Sequence, residues 1–232
     1  MNNLSDIQNL LEEHAALKQS THSMFFKTGP GEYAEHDKFL GVSVPVVRKI
    51  AKQFQSLSLE EIYCLLKSKY NEERLLALFI LVSRYQKADE VDKNELYQFY
   101  LENIDHVNNW NLVDSSAHLI IGAHVWNADK EILLHYAQSD NLWKRRIAII
   151  STLYFIRRSD LEWTFKIAKI FLTDKHDLIH KAVGWMLREA GQKDIAQLKN
   201  FLNEYVSKMP RTMLRYAIEK FPEEERKMYL KK

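Results

Sequence analysis

Cysteine is almost missing from this sequence. Cys64 stands alone, which rules out an internal disulfide and a cysteine-based zinc site and fits a reducing compartment. Glycine and proline are scarce, at 6 and 4 of 232 residues. That argues against an all-β chain of many tight turns. No run approaches the roughly 20 apolar residues needed to span a bilayer. No basic region followed by an apolar run opens the chain, so no signal peptide is expected. Glycine-rich phosphate loops, a nucleophile elbow and CxxC are all missing. His176 and His180 have the i, i+4 spacing of a metal pair, but no carboxylate–histidine constellation accompanies them, and no metal site is expected.

Apolar residues are plentiful. They make up 46% of the chain, with 11 Phe, 11 Tyr and 5 Trp. A sizeable core is therefore within reach, as one large domain or two small ones. The net charge of +2 hides an uneven distribution. Residues 1–140 carry 13 Lys+Arg against 20 Asp+Glu, a net of −7; residues 141–232 carry 20 against 11, a net of +9. A basic half of this kind suits a polyanion, a solvated face or a surface that docks on the acidic half.

Apolar spacing reads as helix nearly throughout. Leu4 to Leu17 is amphipathic, with Ser5 as its N-cap. Residues 18–43 are the least regular, with a turn at Thr28-Gly29-Pro30-Gly31. Pro45 suits the first turn of a helix running to about Phe54. Ser58 and Glu61 form a capping box, and Asn71 caps the next helix. Further helices are expected near 92–104, 111–124, 129–138, 141–157, 160–172, 177–190, 193–206 and 210–220. Asp160, Asp177 and Asp194 stand as N-caps, and Gly191 as a stop. Glu223 to Glu225 look like a solvated helix start.

A weak repeat underlies these helices. Ala77, Ala117, Ala148, Ala182 and Ala217 are separated by 40, 31, 34 and 35 residues. Helix pairs at this period predict a HEAT-like or armadillo-like α-solenoid, against an irregular bundle as the alternative. Three clusters lie in the second helix of successive pairs. Trp110 and Asp114 stand one turn apart, Trp143 shares a face with Arg146, and Trp185 shares one with Arg188. Each alone reads as core packing or solvated surface. Repeated on successive units, aromatic planes beside basic side chains fit strand binding.

The residues Trp110-Asn111-Leu112-Val113-Asp114-Ser115, Asp140 to Ala148 and Lys181 to Glu189 resemble the AlkD family of HEAT-like DNA glycosylases, the bacterial DNA alkylation repair proteins. Phe39-Leu40-Gly41-Val42 and Arg211 to Lys220 also fit, so the likeness covers about residues 39–220. It implies an all-α fold, a right-handed α-solenoid of HEAT-like repeats forming a single domain over 1–232. It also implies a monofunctional glycosylase that removes cationic alkylpurines of the 3-methyladenine and 7-methylguanine type from duplex DNA, without a base-specific pocket. Carried over by position, Asp114 would be catalytic. Trp110, Arg146, Trp185 and Arg188 would meet the lesion and its backbone, with Lys144, Arg145, Lys181 and Arg211 as further DNA contacts. No cofactor and no metal would be needed. A monomer in the bacterial cytosol or nucleoid is expected, with no membrane role.

One stretch departs from the family pattern. Thr28 to Asp37 does not match the helix expected before Phe39-Leu40-Gly41. Residues 18–38 therefore bear on whether lesions are excised. The alternatives are a non-catalytic relative that binds distorted or branched DNA, and a HEAT-like protein-interaction scaffold.

Overall fold

The computed structural model describes residues 3–16 and 26–231. The end of the first expected helix, Leu17, and the part of the irregular stretch at 18–25 lie outside them. The described residues are helical, with one isolated bridge between Lys38 and Tyr70 and no strand. The all-α expectation holds. No described helix is long and apolar enough to cross a membrane.

The chain divides into two compact units, Met1–Ser116 and Ala117–Lys232. In the first, α1 (Asn3–Ala16) packs on α2 (Val44–Ala51). Both α2 and α3 (Leu59–Leu66) pack on α4 (Asn71–Lys87), which also touches α5 (Glu90–Glu102). Helix α4 is the core of this unit. Leu75, Leu76, Ala77, Leu78, Ile80 and Leu81 are all buried, so the helix is apolar on every side. Each leucine or isoleucine among them contributes about 1.5–3 kcal/mol by leaving water. Helix α6 (Trp110–Ala117) ends at the boundary, and a π-helical turn, His118–Gly122, follows it.

In the second unit the helices alternate between two layers. Helices α7 (Glu131–Ala137), α10 (Glu162–Ile170) and α12 (Ile195–Tyr205) alternate in the chain with α8 (Leu142–Ser151), α11 (Asp177–Lys193) and α13 (Arg211–Ala217). The second set forms a row, with α8 on α11 and α11 on α13. The short α9 (Leu153–Ile156) continues α8, and α14 (Glu223–Lys231) closes the chain, as the three glutamates foretell.

The repeat has a physical basis. All five register alanines are at most 1% exposed. Two glycines mark an equivalent close crossing. A Cβ on Gly122 would lie 2.3 Å from Ser151 O and 3.0 Å from Tyr154 Cβ; one on Gly184 would lie 2.5 Å from both Met213 O and Tyr216 Cβ. In both cases the partner carbonyl lies 29 residues on, with a tyrosine three residues after it.

Several local expectations are confirmed and others corrected. Pro45 sits in the first turn of α2. Ser58 and Glu61 make the full capping box, with bonds of 3.2 and 2.8 Å. Asp194 accepts from the amides of Ala196 and Gln197. Gly31 takes φ 75° in the expected turn. Ser5, however, lies inside α1, which begins at Asn3. Tyr70, not Asn71, precedes α4; the Asn71 amide donates to Lys38 O, and its side chain bonds elsewhere. Asp160 stands one residue before the N-cap, Leu161, and Asp177 is already helical because the His176 ring caps α11. Gly191 does not stop α11, which runs to Lys193. It clears space for Leu198 instead, whose Cδ2 would lie 2.3 Å from an added Cβ. The helix expected over 141–157 breaks at Thr152, whose hydroxyl donates to Ile149 O.

Candidate active site

Helix α6 starts where it does because Asn109 caps it. The Asn109 side-chain oxygen accepts from Trp110 N at 2.7 Å, and its carbonyl accepts from Val113 N. Leu112, Val113 and Ala117 are fully buried and seat one face. Ser116 bonds the Tyr100 hydroxyl at 2.8 Å on that side. Trp110 and Asp114 are thereby left together on a half-buried face, one turn apart as their spacing predicts.

What fixes this helix start is a polar network far from it in sequence. The Asn109 amide donates to Asp37 Oδ2 at 2.6 Å, and Asn71 Nδ2 donates to the same oxygen at 3.1 Å. The Arg74 guanidinium pairs with Asp37 Oδ1. Asn71 and Asn111 exchange side-chain hydrogen bonds, with Asn111 Nδ2 donating at 2.6 Å. Asn71, Arg74, Asn109 and Asn111 are buried, and so is the side chain of Asp37, so these bonds answer groups that water hardly reaches. Asp37 belongs to the stretch that departs from the family pattern. The departure therefore carries the anchor of α6. The following backbone is held too: Leu40 N and Gly41 N donate to the two Glu72 carboxylate oxygens at 3.0 and 2.8 Å.

The Trp110 ring has a protein neighbour. Phe26 stacks on it with centroids 4.9 Å apart and planes within 15°, and Phe39 stacks behind Phe26 at 4.4 Å. Asp37, Asn71, Asn109 and Phe26 all escape a reading by spacing. Asp and Asn beside loops signal turns or caps, and nothing local couples position 37 to position 109.

In the second unit, Asn141 caps α8 by accepting from Trp143 N and Lys144 N at 2.8 and 3.2 Å. Trp143 and Lys144 are half-buried in its first turn. Arg146 is only 5% exposed and donates to Leu178 O at 2.6 Å, at the start of α11. Arg145 acts as a clamp within this unit. Its Nε pairs with Asp174 at 2.8 Å, and one terminal nitrogen donates to Ser139 O and Asp140 O. Lys181 pairs with Asp177 at 2.7 Å, and that hydrogen bond holds the Asp177 carboxyl below the usual carboxylate range.

Trp185 is half-buried, and its indole N–H donates to Glu189 at 3.1 Å. Arg188 reaches Glu219 and, at 3.3 Å, Glu189, so carboxylates already answer its charge. Arg211 is exposed and donates to Leu230 O, tying α13 to α14. His176 and His180 both engage nearby backbone: the first accepts from Leu178 N at 3.1 Å, and the second meets Asp174 O at 2.6 Å. The first unit thus brings Trp110 beside Asp114. The second groups Arg145 and Arg146 near the start of α11 and joins Trp185 to Arg188 through Glu189. Arg211 opens α13, which packs on α11, and its side chain is engaged with Leu230 O.

The family model for the DNA alkylation repair enzyme matches residues 7–221. The chain belongs to the DNA alkylation repair family. Membership supports an enzyme with a role in DNA repair, and DNA as its partner. The match spans both units and includes the stretch around Asp37. A solved structure of a predicted DNA alkylation repair enzyme from Enterococcus faecalis shares the fold, with TM-score 0.67 and 17% identity over 91% of this chain and 96% of that one. No curated protein matches the sequence.

Proposed function

We propose that this family member is a monofunctional glycosylase that releases cationic alkylpurines from duplex DNA. The observation that carries the reading is the pairing of Trp110 and Asp114 on one half-buried turn with a buried, hydrogen-bonded anchor. Alkylation at N3 or N7 leaves the base positively charged, so its bond to C1′ is already weak. As that bond breaks, its electron pair goes to the base, which departs neutral. The sugar is left with oxocarbenium character. A fixed carboxylate in a partly desolvated site stabilises that charge and orients water. Water oxygen then bonds C1′ and a proton is lost, leaving free base and an abasic site. The face of Trp110 suits the cationic nucleotide. Trp185 and Arg146 are proposed, on the resemblance alone, as further contacts of an aromatic face and an always-charged guanidinium with DNA. Lys144, Arg145, Lys181, Arg188 and Arg211 complete the proposed DNA contacts, with Arg145 and Arg188 acting through their ion pairs as much as through free charge.

The test is release of free base from methylated duplex DNA by the wild type and by Asp114→Asn. The expected fall in rate is about 10²–10³-fold, with duplex affinity kept within about twofold. Unchanged release by the variant would overturn the role of Asp114.

A second reading is favoured by one observation. Phe26 already covers a face of Trp110, as it would in a relative that binds distorted DNA without excising a base. That reading expects tight, salt-sensitive binding with no base released, and Phe26→Ala tells the two apart. Release restored or raised by the variant supports a glycosylase in which Phe26 gates Trp110. No release from either protein, with binding intact, supports the binding-only relative.

A further inference from the structure

Beside Trp185 lies a cleft whose other lining residues are not among the expected site residues. It has a volume of about 340 Å³ and lies between α9 and α11, lined by Leu153, Ile156, Arg157, Trp185, Glu189 and Lys193, with Gln192 beside them. Trp185, Glu189, Gln192 and Lys193 fall at i, i+4, i+7 and i+8, a single stripe of α11. The floor is apolar, one wall is an indole, and the rim holds two exposed cations. Neither the Arg157 nor the Lys193 side chain has a hydrogen bond or ion pair among the described residues. Most lysines and arginines discussed above in this unit are paired: Arg145 with Asp174, Lys181 with Asp177, and Arg188 with Glu189 and Glu219. The one carboxylate in the cleft, Glu189, is itself bonded to the Trp185 indole and to Arg188. The cleft therefore presents two free positive charges beside an aromatic face.

We infer that this cleft is a phosphodiester subsite, in which Arg157 and Lys193 hold a backbone phosphate next to the nucleotide that meets Trp185. The inference rests on reading the chain as a DNA-binding repair protein; it does not require base excision. The two residues also stand at helix ends, Arg157 just after α9 and Lys193 last in α11. A charge there answers the helix dipole. The two roles predict different measurements. A dipole partner contributes to stability, whereas a phosphate contact contributes to affinity and to its dependence on salt.

The experiment is duplex binding by fluorescence anisotropy across a salt series. It uses the full chain as wild type, Arg157→Gln, Lys193→Gln and the double variant, with Tm recorded for each. Each single change is expected to weaken binding about tenfold near 0.1 M salt and to flatten the slope of log K against log salt by about 0.9. The double variant should lose about twice that slope, while Arg157→Lys and Lys193→Arg retain it. An unchanged slope in the double variant, with or without a lower Tm, overturns the subsite and leaves the cations as helix-end charges. Displacement of duplex by a millimolar free mononucleotide would also overturn it, marking a small-ligand pocket instead. Base release from methylated duplex is followed in parallel. A flattened slope without any release by the wild type removes the glycosylase reading alone. Release with an unchanged slope removes the subsite alone. A wild type that binds no duplex at any salt removes both.

Discussion

At the scale of single residues, the anchor of the site is Asp37. Its side chain is 4% exposed, and that of its partner Arg74 is 6% exposed. Removing the carboxylate strands a buried guanidinium and takes an acceptor from Asn71 and Asn109 together. Breaking a buried pair from one side costs about 3–5 kcal/mol. Asp37→Ala should therefore lower the urea midpoint by that equivalent, and an unchanged midpoint would show that the network contributes little. Trp110 and Asp114 were legible in the sequence because one helical turn relates them, and a turn is a local object. Their anchor was not. Asp37 meets Asn109 across 72 positions and Asn71 across 34, and no local rule of chain geometry connects such distances. For the same reason the stretch from Thr28 to Asp37 looked like a mere departure from a pattern. Its function lies in what it touches.

At the scale of elements, helix starts show which signals a sequence carries well. Ser58 with Glu61, and Asp194, cap the helices assigned to them because short oxygen side chains reach the next amides in only one way. Asp177 looked equally good and lies one residue inside α11. The imidazole of His176 had taken the position, accepting from Leu178 N through Nδ1. A ring nitrogen can do this only when unprotonated. Burial depresses the proton affinity of His176, and the nearby Arg145 adds to the effect while Asp174 opposes it. Over the window below the ordinary histidine value of about 6.5, the unfolded chain thus binds more protons than the folded one. Stability from this cap is complete above about pH 6.5 and is lost as the pH falls through the window. His176→Asn keeps an acceptor at the N-cap and removes the titration. Its Tm should fall less than that of the wild type between pH 7 and 5.5. Parallel declines would mean that the imidazole plays no part in the acid sensitivity. Gly191 teaches the converse lesson. Glycine near a helix end reads as a stop, yet here it answers the approach of Leu198, a tertiary fact with no local mark.

At the scale of the whole molecule, two features were visible from the chain alone: a repeat of about 31–40 residues and a division of charge. The alanine register survives in the structure because small residues stand where helices approach closely, and Gly122 and Gly184 carry the same logic to the point of backbone contact. The charge division follows the two units closely. Residues 1–116 carry 12 Lys+Arg against 17 Asp+Glu, and residues 117–232 carry 21 against 14. A polyanion in contact with this chain should therefore gain its electrostatic affinity from the second unit. Suppose Lys144, Arg146, Arg157 and Lys193 each neutralise one phosphate. The slope of log K against log salt is then about −3.6, and raising salt from 50 to 200 mM weakens duplex binding about 10²-fold. Substitutions in the acidic unit supply the contrast. Lys49 and Lys52 are exposed on and just after α2, and replacing both with glutamine should leave that slope unchanged. If the pair flattens it as much as Arg157→Gln with Lys193→Gln does, the backbone is read by both units, and the charge division is a property of the surface without being the means of recognition. If only the second unit responds, the uneven charge seen first in the sequence is the electrostatic footprint of DNA on this protein.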